Sequence, residues 1–279
     1  MSWLHEDREL EMHASDAEVR RKESEREFHD VRFENEVRTP LRKYYSVTRA
    51  SVEHMYCAVS ERCLQKRVLE YGCGPEPYAL AIAERAANVT GIDISPVAID
   101  RARQRAVDRG FGNLDFVVMD GERLEFSDCS FDLVFGSSIL HHLDLDASVG
   151  EIARVLKPGG SAVFLEPMGQ NPLFNAYRRL TPAMRTPDEH PLKFADLKRC
   201  QASFDKAGFA FFHFLSLVAV PIRGSRAFDR TLGLLEHVDR FLLRLPGGQR
   251  LAWFVVMTLE QPRRPIADIT HTPSLLDPS

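Results

Sequence analysis

The sequence lacks the marks of several protein classes. Its five cysteines, Cys57, Cys63, Cys73, Cys129 and Cys200, form no C-x-x-C pair and no zinc-ligand spacing. That argues against a metal cluster, and the odd count suits free thiols. No apolar run is long enough to cross a bilayer. The N-terminus, Met1-Ser2-Trp3-Leu4, turns acidic at once, with neither the basic nor the apolar region of a secretory leader. Positive charge is not in excess: 36 Lys and Arg stand against 40 Asp and Glu, a formal net charge of −4. A nucleic-acid surface is therefore not expected, because phosphate binding needs clustered Lys and Arg. These absences favour a cytoplasmic protein with no membrane span, no metal and no nucleic-acid partner.

With 279 residues and 44% hydrophobic composition, the chain is long enough for one large α/β domain with additions. Residues 1–64 read as an N-terminal helical lid. A highly charged helix is expected from Ser15 to about Arg38, opened by a Ser15-x-x-Glu18 capping box and anchored by Val19, Phe28, Val31 and Phe33. Pro40 ends it, and a second helical pattern runs from Leu41 to Cys63.

Residues 65–262 alternate strand and helix. Strands are expected at Arg67–Tyr71, Asn88–Asp93, Leu114–Met119, Phe131–Phe135 and Ser161–Glu166. Ser95-Pro96 supplies an N-cap and a first-turn proline, and another helix runs from Asp146 to Leu156. The pattern predicts a Rossmann-like, seven-stranded, mostly parallel sheet with helices on both faces and ligands at the C-terminal strand ends. A cap insertion is expected at 167–192, then a helix over Lys193–Gly208, a strand over Ala210–Val220 and an amphipathic helix over Ser225–Leu245 inside an insertion at 222–248. Leu251–Leu259 reads as the last strand, and residues 263–279 as a disordered tail.

The chemistry-bearing positions follow the strand ends. In Glu70-x-Gly72-x-Gly74 the glycines remove Cβ atoms where a ligand would press on the turn. Asp93, ending the next strand, sits where a carboxylate accepts from both ribose hydroxyls. A dinucleotide fingerprint would add a third glycine. Pro75-Glu76-Pro77 stands there instead, and Glu76 would repel a pyrophosphate, so NAD is disfavoured. Met119-Asp120-Gly121 places another carboxylate within reach of an adenine amino group. Ser137-Ser138-Ile139-Leu140-His141-His142 follows the fourth strand, and Lys157-Pro158-Gly159-Gly160 opens the fifth.

Taken together, Arg67 to Glu166 resembles the class I S-adenosylmethionine-dependent methyltransferases, in particular the group containing the ubiquinone and menaquinone biosynthesis enzymes. The resemblance implies that Glu70, Gly72, Cys73 and Gly74 cradle the methionine end of the cofactor. It assigns Asp93 and Ile94 to ribose and adenine, Asp120 and Gly121 to adenine, and Ser137 to the neighbourhood of the sulfonium. Tyr44 and Tyr45 would either close over the cofactor, as lid aromatics do in similar enzymes, with Tyr45 against the cofactor, or pack into the core. Many members have a further glycine where this chain has Glu76. The implied activity is O-, N- or C-methylation of a small organic acceptor, with S-adenosylhomocysteine released and no metal used. The apolar run Phe209 to Val220 reads as ordinary core or as the lining of a pocket for a lipophilic or aromatic acceptor, a membrane rest or a subunit contact, and the protein is expected as a monomer or homodimer. His141, His190 and Glu166 are candidate catalytic groups, His141 and His142 being equally suited to helix packing and cofactor contact. Tyr44, His142, Asn171, Tyr177, Arg178 and Arg185 are candidate acceptor contacts. The readings left standing beside this one are an NAD(P)-dependent oxidoreductase and a non-catalytic nucleoside-binding sensor or scaffold.

Overall fold

The computed structural model describes residues 18–31, 33, 46–172, 174–175, 179 and 190–263. After helix α1 (18–31) come α2 (Arg49–Arg62), β1 (Arg67–Tyr71), α3 (Ala79–Ile82), β2 (Asn88–Asp93), α4 (Pro96–Asp108) and β3 (Leu114–Val118). The chain continues through β4 (Phe131–Ser137), a 3-10 turn (Leu140–His142), α5 (Leu145–Val155), β5 (Leu156–Pro167) and α6 (Phe194–Ala202). It closes with β6 (Phe204–Phe212), a 3-10 segment (Leu215–Ile222), α7 (Phe228–Leu242), a further 3-10 turn (Gly248–Leu251) and β7 (Phe254–Pro262).

The strands form one seven-stranded sheet in the order β3-β2-β1-β4-β5-β7-β6. β3 through β5 pair in parallel, and β7 runs antiparallel to both β5 and β6. The central strands are near-continuous apolar runs because both faces are covered. Val68 and Leu69, adjacent on β1 and fully buried, point into different cores. Burying each stabilises the fold by about 1.5–3 kcal/mol. One core gathers Met55, Val59, Ile82, Ile99 and Ala102 from α2, α3 and α4. The other gathers Val149, Ile152, Leu197 and Cys200 from α5 and α6.

Local chemistry sets the helix starts. The Ser95 hydroxyl accepts from the Ala98 N–H at 3.1 Å, with Pro96 in the first turn, and Asp144 accepts from the Ala147 N–H at 2.9 Å. Such caps contribute about 1 kcal/mol each.

The C-terminal part departs from expectation. The helix expected to run to Gly208 stops at Ala202, and Phe204 already pairs with Pro262 as the edge strand β6. The strand expected over Ala210–Val220 ends at Phe212. His213 takes a positive φ of 65°, and the buried Asp239 carboxylate of α7 then accepts from the N–H groups of Phe214, Leu215 and Ser216 at 3.0, 2.7 and 3.1 Å. Three amides held by one carboxylate end the strand and start a 3-10 segment. β5 is longer than expected and begins at Leu156, with a register shift between the Phe131 and Leu133 pairings. The ends of the expected cap are tied to the sheet: Met168 N–H donates to Trp253 O at 2.7 Å, and Leu192 N–H to Pro167 O at 2.9 Å. Tyr44, Tyr45, Tyr177, Arg178, Arg185 and the expected tail from 264 onward lie outside the described residues.

Candidate functional site

The C-terminal ends of β1, β2 and β4 open onto a cavity of about 300 Å³, at the lower end of the size range for small-molecule sites. After β1 the backbone takes two left-handed steps, with φ of 67° at Gly72 and 58° at Gly74. A Cβ on Gly72 would lie 2.6 Å from Ile139 Cγ1, so this position excludes every side chain. A Cβ on Gly74 would meet nothing within 4 Å. Its backbone therefore faces open space.

Asp93 ties this turn to β2: its carboxylate accepts from the N–H of Gly74 and the N–H of Ser95, each at 2.9 Å. Burial pushes its pKa above the ordinary value, against the two amide donors. Asp120, at the end of β3, accepts from the Glu122 N–H at 2.8 Å and pairs with Lys22 Nζ at 2.7 Å. Gly72, Gly74, Asp93, Ile94, Asp120, Gly121 and Ser137 all line the cavity, so most of the residues named for the cofactor converge there.

Glu70 and Cys73 do not line it. The Glu70 carboxylate turns beneath the glycine turn and accepts from the N–H groups of Tyr78 and Ala79, each at 2.8 Å, at the start of α3. Burial pushes its pKa up to about 8. Cys73 is buried toward Gly91, whose Cβ would sit 3.2 Å from the Cys73 Cβ. Both act on the shape of the turn from behind.

Glu166 is likewise set behind the wall. Fully buried, it accepts from the N–H of Ile139 and of Leu140 at 2.9 Å and holds His141 Nδ1 at 2.8 Å. With its oxygens engaged it fixes the loop after β4 and one orientation of the His141 ring, which borders the cavity. Asn171 is fully buried, accepting from the Phe174 N–H at 3.1 Å and donating to Leu251 O at 2.7 Å, and it does not line the cavity. The His190 side chain is exposed, while its N–H donates to His141 O at 2.8 Å. Its contribution in this structure is a backbone clamp. His142 faces the cavity, its ring 4.1 Å from that of His141.

Sequence reading missed the remaining wall. α1 lies over the cavity, contributing Phe28 and His29, and Phe33 follows; Phe254 at the start of β7, Trp253 just before it and Phe174 in the segment after β5 supply an aromatic surface. Arg21 reaches Glu122 at 2.6 Å and His142 O at 3.1 Å, while Lys22 bridges Asp120 and Glu122 at 2.7 and 3.0 Å. Burial opposes the Lys22 charge, but the hydrogen bonds it donates to Asp120, Glu18 and Glu122 prevail and raise its pKa. Ser95 Oγ also donates to Asp30 of α1. The available signal was Glu25, Phe28, His29 and Phe33 recurring at helical spacing within an otherwise charged segment.

A family model described as a methyltransferase domain matches residues 69–164. The chain is 38% identical over 114 residues to aklanonic acid methyltransferase from Streptomyces sp. (strain C5), covering 39% of this chain and 52% of that one. It is 32% identical over 131 residues to a fatty-acid O-methyltransferase of Mycolicibacterium smegmatis, covering 46% and 47%. The chain thus spans about half the length of these curated relatives. Among solved structures, geranyl diphosphate C-methyltransferase from Streptomyces coelicolor A3(2) aligns at a TM-score of 0.54 and 14% identity, over 77% of this chain and 81% of that one. Phosphoethanolamine N-methyltransferase 2 of Haemonchus contortus, solved with S-adenosyl-L-methionine, aligns at 0.52 and 17%, over 75% and 53%. These two likenesses are of fold. No described helix is long and apolar enough to cross a membrane.

Proposed function

Because the central domain is that of a class I S-adenosylmethionine-dependent methyltransferase, we propose that this chain transfers a methyl group to a small apolar or aromatic acceptor and releases S-adenosylhomocysteine. The observation that carries the reading is the meeting of Asp93, Gly74 and Asp120 in one cavity, with the Gly74 backbone facing space that a Cβ would otherwise enter. That cradle fits a nucleoside with a charged amino-acid tail. When bound, S-adenosylmethionine supplies a methyl group already activated on a sulfonium, so the protein's part is alignment and the exclusion of water.

Gly72 and Gly74 would let the tail approach the turn closely, the Gly74 N–H itself being held by Asp93. Asp93 would accept from ribose hydroxyls through the lone pairs its two amide donors leave, and Asp120 with Ile94 and Gly121 would border the base. Ser137, Ile139 and the Glu166-locked His141 close the floor beside the reacting centre. α1 and the aromatic wall of Phe174, Trp253 and Phe254 keep water out and offer an apolar berth to the acceptor. Relatives named for aklanonic acid and for fatty acids support a lipophilic acceptor. In this reading residues 1–64 are a lid and 167–192 a cap. Five free cysteines support a reducing compartment such as the cytoplasm.

The test is incubation of the full chain with methyl-labelled S-adenosylmethionine and a panel of fatty-acid and hydroxylated aromatic acceptors. Label should pass into the organic extract. Tight S-adenosylhomocysteine binding with no label transferred to any acceptor would reduce the chain to a nucleoside-binding protein.

A further inference from the structure

We propose that Glu25, His29 and His142 form a binding site for one divalent transition-metal cation on the cavity wall. Glu25 and His29 lie one turn apart on α1, and His142 comes from the loop after β4. One ligand atom from each side chain lies within 4.8 Å of the other two. Glu25 Oε2 is 3.4 Å from His142 Nδ1 and 3.5 Å from His29 Nε2. Donors around a tetrahedral ion, each about 2.0–2.1 Å from it, stand about 3.3–3.5 Å apart.

The same separations are poor for hydrogen bonds. His141 and Glu166, with the same chemistry in the same site, meet at 2.8 Å, within the usual charge-assisted range. His142 Nδ1 is instead a buried nitrogen with no hydrogen-bond partner among the described residues. Two imidazoles and a carboxylate suit zinc or another late first-row ion and leave coordination positions open. Arg21 and Lys22, the cations one turn away on α1, are engaged by Glu122 and Asp120. All three proposed ligands border the cavity, so an open position faces it. That this position takes an oxygen of the methyl acceptor rests on the methyltransferase reading; ion binding itself does not.

The experiment uses the full chain stripped with chelator, titrated with Zn²⁺ by calorimetry and with Co²⁺ by visible absorption, without S-adenosylmethionine. One ion per chain should bind, with the Co²⁺ spectrum of a low-coordinate nitrogen and oxygen site. Glu25→Ala, His29→Ala and His142→Ala should each weaken binding at least about tenfold, since loss of even outer partners of a metal site costs that much. The urea-unfolding midpoint of each variant reports whether it is folded, and S-adenosylhomocysteine binding, titrated separately, tests the donor site independently. Because two of the substitutions lie on α1, outside the sheet, at least those variants keep the domain for measurement. No stoichiometric binding, or binding that survives Glu25→Ala and His29→Ala, overturns the site.

Discussion

Asp93 and Glu25 border the same cavity but are held there by different forces. Asp93 ends a strand buried on both faces, and backbone amides from two successive turns grip its carboxylate. Glu25 rides on a helix tied to the domain through side-chain contacts, Arg21 and Lys22 to Asp120 and Glu122 and Ser95 to Asp30. Partly exposed ion pairs of this kind contribute roughly 0–1 kcal/mol each. The strand-end wall is therefore rigid and suited to a constant donor, whereas the helix wall can be displaced cheaply to admit an acceptor.

Substitutions graded along this contrast should separate the two walls. The largest effect is expected at Gly136 on β4, where a Cβ would lie 2.6 Å from Tyr71 O and 2.8 Å from Phe164. Tyr71 O belongs to the paired strand β1 and the Phe164 ring is fully buried, so Gly136→Ala should cost about 3 kcal/mol or more, seen as a lower denaturant midpoint. A near-neutral result would show that the strand-end wall is not rigid. Asp93→Ala comes next. Loss of its charge-assisted hydrogen bonds should weaken S-adenosylhomocysteine binding by about 1.5–3 kcal/mol in calorimetry, and unchanged affinity would remove Asp93 from the donor site.

A buried pin in the C-terminal half should show itself in acid. His213 lies between Ser51 of α2, at 2.8 Å, and Ser216, at 3.3 Å, and burial drives its pKa down to about 3. Between pH 6.5 and 3 the unfolded chain holds a proton there that the folded chain does not. Stability is then intact above pH 6.5 and falls by about 1.4 kcal/mol per unit as the pH drops through that window. His213→Asn, which tolerates the positive φ, should flatten that slope in pH-dependent urea unfolding. An unchanged slope would place the acid sensitivity elsewhere. The smallest effect is expected at Lys22. Lys22→Ala should shift stability by less than about 1 kcal/mol, and less still at high salt. A loss as large as that of Gly136→Ala would erase the distinction between the walls.

The same contrast explains what the sequence made legible. β1 to β5, the glycine turn and the Ser95 cap are written in contiguous residues, through apolar runs, positive-φ glycines and a Ser-Pro start. In sequence Glu166 is a candidate reacting group, since it ends the expected fifth strand beside the site. Its partners Ile139, Leu140 and His141 lie 25–27 residues earlier, a separation that no local pattern encodes. Asp239 stops a strand 23–25 residues before it in the same way. Glu25 and His29 were hidden among neighbouring charges, since only the docking of α1 distinguishes a cavity-facing carboxylate from a solvated one.

The most direct test is the crystal structure of the chain with S-adenosylhomocysteine. The account predicts ribose hydroxyls on the Asp93 carboxylate, the base beside Asp120, and the sulfur facing the space bounded by His142, Phe174 and Trp253. A nucleoside lodged among those aromatic rings, with Asp93 left to its backbone amides, would contradict it.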